Sequence, residues 1–214
     1  MNDIAIYGAG GLGREIACLI RMINEKEATW NLIGFFDDDQ AKQGCSNEYG
    51  KVLGGMDALN SYDRPLALAV AVGHPRVSRQ IVSRIHNSLV DFPNLIAPGT
   101  IFLDRNNVIY GRGNIICVGC SVSCHVAMGD FNLLNGFVSI GHDTTIGNFN
   151  SMMTATRIAG GVKIGDDNLF GAASAILQQV KIGNGTIVGA NSTVIRKTKD
   201  GCTYVGNPAK RIKI

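Results

Sequence analysis

The segment SIGHDTTIGNF, residues 139–149, places a histidine beside an aspartate, His142 and Asp143, between two evenly spaced Ile-Gly steps. A neutral imidazole can take a proton from an attacking nucleophile, because histidine ordinarily titrates near neutrality. A carboxylate beside the ring can orient it and favour its protonated form, as in catalytic triads. The pair could therefore be a general base and its orienting partner. The alternative is that both residues are ordinary exposed polar groups on a repetitive surface.

The pattern that surrounds this pair is a repeat of six residues. A period of six fits neither a helix face nor a meander, and it predicts a coil of triangular section built from short strands. In such a coil the apolar residue points inward, and glycine allows the backbone to bend at the corner. Three hexads close one turn of 18 residues, so fifteen hexads predict five turns. The apolar positions are Tyr110, Ile116, Val122, Met128, Leu134, Ile140, Ile146, Met152, Ile158, Ile164, Phe170, Ile176, Ile182, Val188 and Val194.

The first 90 or so residues instead alternate strand and helix patterns. The runs DIAIYGAG, NLIGFFDDD and PLALAVAVGH predict three strands, the last of them a buried parallel strand. Two stretches with helical spacing lie between and after these runs. Their apolar residues are Ile16, Leu19, Ile20 and Ile23 in the first helix, and Val77, Ile81, Val82 and Ile85 in the second. The sequence therefore predicts a small βαβαβ unit with a parallel sheet of three strands.

A glycine motif joins the first strand to the first helix. Gly8, Gly10 and Gly13 match G-x-G-x-x-G, which allows a tight turn and holds a phosphate at a helix N-terminus. Asp37 and Asp38 end the next strand, where an acid could meet a ribose or a base. The motif suggests a dinucleotide-dependent oxidoreductase, but the unit is too short for a second dinucleotide-binding half. A mononucleotide or a nucleotide-sugar suits it better, and a glycine-rich turn without a ligand is the alternative.

Composition and charge narrow the class of protein. The chain has 214 residues, 45% of them hydrophobic and only 7% aromatic, which predicts an aliphatic core. A dispersed net charge of +3 does not favour nucleic acid or a membrane surface as a partner. No apolar run approaches the roughly 18 residues of a membrane span, and the N-terminus lacks the features of a signal peptide. We therefore expect a cytoplasmic protein.

Three of the six cysteines, Cys117, Cys120 and Cys124, form a C-x2-C-x3-C pattern that could hold a metal or an iron–sulfur cluster. No fourth ligand lies near them in the sequence. Cys120 also falls four residues after an inward apolar position, where small or β-branched residues or asparagine recur. Reduced cysteines that act as small core residues suit a cytosolic chain better, so the sequence predicts no metal site.

The hexads resemble those of the hexapeptide-repeat acyltransferases, whose coil is a left-handed β-helix. The segments GAGGLGRE, FFDDD and AVGHPRVSRQI, followed by the hexads, IGHDTTIGNF and a terminal VGNPAKRI, resemble nucleotide-amino-sugar N-acetyltransferases of the PglD and NeuD type. The resemblance implies a Rossmann-like domain at residues 1–92 and a left-handed β-helix at residues 93–214. It also implies that the first domain binds the nucleotide-sugar and that acetyl-CoA lies along the second. Members of the family are homotrimers with active sites between subunits.

The activity implied by this resemblance is transfer of acetyl from acetyl-CoA to the amino group of a nucleotide-linked amino sugar, such as a UDP-4-amino-deoxysugar. Surface glycan or glycoprotein sugar biosynthesis is the expected setting. A sugar O-acetyltransferase of the sialic-acid type would share every motif, because base and coenzyme channel are common to both. A non-catalytic scaffold that binds a nucleotide-sugar is a further alternative.

The family's catalytic histidine matches His142, while Asp143 stands where a family member has glutamate. The shorter side chain keeps the charge and alters the pairing geometry. His125, 17 residues earlier and almost one turn below, is the competing base. A three-histidine metal site is not expected, since His74 and His86 lie in the other half of the chain and no close pair of histidines is present.

Other site residues are implied by position within the family's motifs. Lys210 and Arg211 suit the phosphates of coenzyme A, or else they belong to a solvated tail. The positions that match nucleotide-sugar contacts are Gly11, Leu12, Gly13, Asp37, Asp38, Gly73 and Asn135. The positions that match acetyl-CoA contacts are Ser151, Ala172 and Ala190, of which Ser151 replaces a histidine of the family.

Overall fold

A computed structural model describes residues 1–213 of the protein. The chain divides into two compact units, one comprising Met1–Pro98 and the other beginning at Gly99. This division lies C-terminal to residue 92, where the family resemblance places the boundary.

The N-terminal unit is built on a sheet of six strands in the order β3-β4-β2-β1-β5-β6. All neighbours are parallel except β3 and β4, which form an antiparallel pair. The elements are β1 Asn2–Tyr7, α1 Gly11–Lys26, β2 Trp30–Phe36, β3 Ser46–Asn47, β4 Gly50–Gly54, α2 Met56–Asn60, β5 Leu66–Val70, α3 Pro75–Arg84, β6 Val90–Asp91 and β7 Leu95–Ile96. The predicted sheet of three strands is therefore too small. The strands that the sequence missed are only two to five residues long, which leaves little or no periodicity to detect.

Of the two helices predicted from apolar spacing, the first buries residues that were predicted to be buried and the second exposes one of them. Helix α1 buries Ile16, Leu19 and Ile20, as predicted. Helix α3 begins with proline at Pro75 and buries residues spaced by three along one face, whereas the predicted core residue Val77 is 41% exposed. The prediction for Val77 is wrong because α3 buries Pro75, Ser78 and Ile81, and Val77 does not lie on that face.

The C-terminal unit is a triangular coil whose three faces are parallel sheets. A short 3-10 helix, Arg105–Asn107, interrupts its first turn. The first face contains Ile115–Ile116, Leu133–Leu134, Ser151–Met152, Leu169–Phe170, Ile187–Val188 and Thr203–Gly206, with Ala209–Ile212 antiparallel to the last of these. The second face contains Ile101–Phe102, Ser121–Val122, Ser139–Ile140, Arg157–Ile158, Ala175–Ile176 and Thr193–Val194. The third face contains Val108–Tyr110, Val126–Met128, Thr145–Ile146, Lys163–Ile164 and Lys181–Ile182.

The core of the coil is the column of apolar hexad residues. From Ile116 to Val194 each of them is at most 5% exposed, and Tyr110 at the start is half-buried. Cys120 is fully buried among them, which confirms its predicted packing role. Strands of successive turns pair residues that are 18 positions apart. Ile140, for example, pairs with Val122 on one side and with Ile158 on the other.

The corners differ from the sequence interpretation. Left-handed backbone, with φ between 53° and 74°, occurs three residues after each inward residue, from Gly113 to Asn191. The glycines directly after the inward residues are needed for another reason. A Cβ on Gly147 would lie 2.2 Å from Oδ1 of Asp166 in the next coil. These glycines therefore leave room for the coil above and do not supply the corner conformation.

A ladder of buried asparagines runs along one corner. Oδ1 of Asn132 accepts hydrogen bonds from the main-chain N–H and the Nδ2 of Asn150, at 2.9 and 3.0 Å. Oδ1 of Asn150 does the same for Asn168, at 3.1 and 2.9 Å. Both Asn150 and Asn168 are fully buried. The ladder therefore supplies partners for main-chain groups that water cannot reach.

We expect Asn150→Ala to lower the free energy of unfolding by about 1–3 kcal/mol for each buried polar group that it leaves without a partner. Asn184→Ala is the matched control, because Asn184 accepts the N–H of Asp166 at 2.8 Å in an exposed ladder that water can replace. Urea unfolding of both variants measures the difference. Equal losses of unfolding free energy in the two variants would show that the buried ladder stabilises the coil no more than the exposed one.

Candidate active site

His142 and Asp143 lie at the corner between the second and third faces of the coil. Asp143 has φ of 57°, a conformation that aspartate tolerates better than most residues. Its N–H donates to the carbonyl of Cys124 at 3.1 Å, and the carbonyl of His142 accepts the N–H of Gly161 at 2.8 Å. Main-chain bonds to the coils on both sides therefore fix the backbone that carries the pair.

The side chains of His142 and Asp143 contact each other directly. Nδ1 of His142 lies 2.7 Å from Oδ2 of Asp143, and each side chain is 62% exposed. A carboxylate is an acceptor only, so Nδ1 carries the proton of this hydrogen bond. Nε2 of the neutral ring is then left with a lone pair that can accept a proton. This is the arrangement of a general base with an orienting carboxylate.

A cavity of about 530 Å³ opens beside the pair. Its volume lies within the range of roughly 300–1,000 Å³ that is typical of small-molecule sites. Besides His142 and Asp143, it is lined by Ala159, Gly160, Gly161, Gln178 and Gln179. The site thus combines one base, two side-chain amides and three small residues that leave the main chain accessible.

The repeat itself does not account for His142. At the corner with the asparagine ladder, the equivalent hexad position carries Asp or Asn in successive coils. Oδ1 of Asn148 accepts the N–H of Asp130, and Oδ1 of Asp166 accepts the N–H of Asn148, both at 2.8 Å. Along its own corner, His142 is followed at 18-residue steps by Gly160 and Gln178. The periodic hydrogen bonding of the other corner is therefore replaced here by the contact with Asp143.

His125, the competing base, lies one coil below Asp143 in the same corner column, with φ of 54°. It is not among the residues that line the cavity. The geometry therefore favours His142 as the base.

The other predicted residues of the C-terminal unit lie elsewhere in the same chain. Asn135, Ala172 and Ala190 are at the corner between the first and second faces, where Oδ1 of Asn135 accepts the N–H of Gly136 at 2.7 Å. Ser151 is on the first face and only 3% exposed. None of them lines the cavity beside His142. Their predicted contacts with sugar and coenzyme stay predictions, as do those of Lys210 and Arg211 on the terminal strand Ala209–Ile212.

In the N-terminal unit the ends of β1 and β2 come together at the glycine loop. Oδ2 of Asp37 accepts the N–H of Ala9 at 2.8 Å, and Lys42 Nζ lies 3.3 Å from the same oxygen. Burial by itself would raise the pKa of Asp37, but the hydrogen bonds from the N–H groups of Ala9 and Asp39 and from Lys42 outweigh it and lower that pKa. Asp37 thus fastens the loop.

Asp38 is also engaged within the protein. It accepts the N–H of Met56 at 2.9 Å and pairs with Arg84 at 2.8 Å. Burial by itself would raise the pKa of Asp38, but the hydrogen bonds from the N–H of Met56 and from the guanidinium of Arg84 lower it. Tyr7 is buried, and burial followed by the nearby Asp38 carboxylate raises its pKa. The acidic pair therefore holds β1, α2 and α3 in place, a role that the sequence did not indicate.

The glycines predicted to contact the nucleotide-sugar have distinct environments. A Cβ on Gly13 would lie 1.9 Å from the carbonyl oxygen of Gly8, so Gly13 lets α1 pack against β1. No atom lies within 4 Å of a Cβ placed on Gly11, which is exposed, and Leu12 beside it is half-buried. Gly73 stands between β5 and α3. Among the three residues of the loop, Gly11 therefore has the open space that a ligand could use.

No group of three His, Cys, Asp or Glu side chains among residues 1–213 is placed to hold a metal ion. Cys117 and Cys120 are buried, and Sγ of Cys120 donates to the carbonyl of Asn135 at 3.3 Å. Within the same residues no helix is both long and apolar enough to cross a membrane.

Comparison with known families matches each unit separately. Residues 3–85 match the family described as the PglD N-terminal domain. Residues 156–196 match the bacterial transferase hexapeptide family, described as six repeats. A comparison with curated protein sequences yields no significant match.

Solved structures match the chain along its whole length. The acetyltransferase domain of PglB from Neisseria gonorrhoeae is 27% identical, with a TM-score of 0.89 over 99% of this chain and 100% of that one. Its complex with acetyl coenzyme A is 28% identical, with a TM-score of 0.86 over the same shares of the two chains. PerB from Caulobacter crescentus, in complex with CoA and GDP-perosamine, is 25% identical, with a TM-score of 0.83 over 100% of this chain and 98% of that one.

The chain thus joins a PglD-type Rossmann-like unit to a left-handed β-helix of hexapeptide repeats, and its predicted resemblance to the acetyl-CoA-dependent nucleotide-amino-sugar N-acetyltransferases is confirmed.

Proposed function

We propose that this protein transfers the acetyl group of acetyl-CoA to the amino group of a nucleotide-linked amino sugar, with His142 as the general base. The observation that carries the proposal is the His142–Asp143 contact of 2.7 Å beside a cavity of about 530 Å³. The proposal is also supported by similarity along the whole chain to two solved structures. One holds acetyl coenzyme A, and the other holds CoA and GDP-perosamine.

In the reaction the sugar amine attacks the thioester carbonyl, and a C–N bond forms as Nε2 of His142 takes the proton from nitrogen. Asp143 holds Nδ1 and stabilises the imidazolium that results. The tetrahedral intermediate then collapses, the C–S bond breaks, and the CoA thiolate leaves and is protonated. Small residues at positions 159–161 leave space for both reactants beside the ring.

The N-terminal unit is proposed to bind the nucleotide part of the acceptor. The loop after β1 leads into the N-terminus of α1, where main-chain N–H groups and the helix dipole favour a phosphate. Asp37 fixes this loop through Ala9, and Gly11 leaves its approach open. Leu12 and Gly73 border the same edge, and Asn135 is proposed to contact the sugar.

We further propose that the protein acts as a cytoplasmic homotrimer. Ser151, Ala172 and Ala190, proposed to contact acetyl-CoA, do not line the cavity beside His142 of their own chain. A neighbouring subunit that supplied its own copies of these residues would complete the site. Sedimentation velocity on the active enzyme tests this, and a stable monomer with full activity would contradict it.

The activity is tested by measuring CoA release with acetyl-CoA and a panel of nucleotide-linked amino sugars, each paired with an analogue that has hydroxyl in place of the amine. CoA release with the amines alone supports the proposal. CoA release with the hydroxyl analogues would indicate sugar O-acetylation instead. Tight nucleotide-sugar binding without any CoA release would indicate a scaffold.

A further inference from the structure

The imidazole of His142 lies against the main chain of the next coil, over Gly160. A Cβ placed on Gly160 would lie 2.5 Å from Nε2, 2.6 Å from Cε1 and 2.9 Å from Cδ2 of His142. These separations are shorter than non-bonded carbon contacts of about 3.5–4.0 Å permit. The ring therefore occupies the space that any side chain at position 160 would fill.

We propose that Gly160 is a positioning residue, which sets the orientation of the His142 ring by having no side chain. The proposal rests on the proposed function of His142 as the base. With no Cβ at position 160, the ring lies over the main chain of Gly160 with Nδ1 on Asp143, and His142 lines the cavity. A larger residue at this position forces the ring out of that place.

The surroundings of Gly160 allow this effect to be separated from loss of folding. Gly160 does not have the positive φ that would strain an alanine, and the three atoms nearest to its added Cβ all belong to the ring. The ring is 62% exposed and so has room to move. The carbonyl of Gly160 still accepts the N–H of Gln179 at 2.9 Å, because a side chain at position 160 does not touch that bond. Gly160→Ala is therefore expected to fold and to displace the imidazole.

The displacement should appear in kcat. A misplacement of about 1 Å in a catalytic group can lower the rate on the order of 10²-fold, and we expect a loss of this size for Gly160→Ala. The KM for acetyl-CoA should change far less than kcat, since Ser151, Ala172 and Ala190, which are proposed to contact the coenzyme, lie elsewhere in the coil. Steady-state kinetics with the amino-sugar substrate measures both quantities.

Gly147→Ala is the matched control for a steric lesion in the coil. Its Cβ would lie 2.2 Å from Oδ1 of Asp166 and 2.8 Å from the carbonyl oxygen of Gly165, at a different corner from His142. We expect it to lower Tm at least as much as Gly160→Ala while retaining most of the wild-type kcat. If both variants lose kcat in proportion to Tm, Gly160 has only a structural role and the proposal is overturned.

A double-mutant cycle tests whether Gly160 acts through the histidine. Contacting residues with a shared role give non-additive effects, so Gly160→Ala should cause no additional loss of kcat in a His142→Ala background. A further loss equal to that in the wild-type background would overturn the proposal.

A measurement that needs no activity separates this inference from the proposed function. The ring resonances of His142 can be assigned by NMR as those missing from His142→Ala. We expect them to shift in Gly160→Ala and to stay in place in Gly147→Ala. If the wild type shows no acetyl transfer, the proposed function is rejected. The spectra still show whether Gly160 sets the position of the ring. Unshifted resonances in Gly160→Ala would refute the positioning role even if acetyl transfer is confirmed.

Discussion

His142→Ala is expected to lower kcat/KM by about two to four orders of magnitude, which is the usual contribution of a general base. The variant removes Nε2, the atom proposed to take the proton from the sugar amine. The side chain is 62% exposed, so its loss should leave the stability of the coil almost unchanged. Stopped assays of CoA release on wild type and variant, with matched Tm values, measure the effect.

A variant that keeps more than about a third of wild-type kcat/KM lies far outside the general-base range. That result would place the base elsewhere, with His125 as the next residue to test.

Asp143→Asn should have a smaller effect than His142→Ala. The amide keeps an acceptor near Nδ1, but it removes the charge that stabilises an imidazolium. The contact is solvent-exposed, with 62% of each side chain accessible, so screening by water limits the effect of that charge. A loss as large as that of His142→Ala would show that orientation of the ring depends on the carboxylate charge alone.

The second large effect is expected at Gly13. A Cβ at this position meets the carbonyl oxygen of Gly8 at 1.9 Å, which is main chain and cannot rotate away. Overpacking of this kind costs about 1–3 kcal/mol or more, and valine adds two methyl groups to the conflict. Domains are stable by only about 5–15 kcal/mol, so Gly13→Val should destabilise the N-terminal unit strongly. Urea unfolding followed by circular dichroism measures the loss.

Gly11→Val is the matched control, because a Cβ there has no atom within 4 Å. It should leave unfolding nearly unchanged and raise the KM for the nucleotide-sugar far more than the KM for acetyl-CoA. Equal effects on the two substrates would mean that the loop is structural only. Micromolar binding of NAD to the wild type would instead revive the oxidoreductase interpretation of the glycine motif.

Periodicity in the sequence was sufficient to predict the coil. A strict period of six identifies every inward residue from Ile116 to Val194, because burial in a triangular coil depends only on position along the chain. The corners were not predictable in the same way. The left-handed positions are occupied by residues as different as Phe149, Gly161 and Gln179, so residue type alone does not mark them.

The N-terminal unit shows where local pattern is insufficient. The runs that became β1, β2 and β5 were predicted because they are long and apolar, whereas two-residue strands such as Ser46–Asn47 exist only through pairing with neighbours. The sequence also could not separate Gly11 from Gly13. Both lie in the glycine loop at positions that match nucleotide-sugar contacts, and only the approach of α1 to β1 shows that Gly13 is a packing residue while Gly11 is left open.

The sequence by itself determined which residue types could act as base and partner, His142 and Asp143, and the spacing of 18 that places Gly160 one coil above them. Only the tertiary structure decided that Nδ1 meets the carboxylate, that the ring lies over Gly160, and that the cavity opens on this side. The physical reason is that a repeat fixes which residues are stacked, while side-chain orientation and cavities depend on the atoms of neighbouring coils.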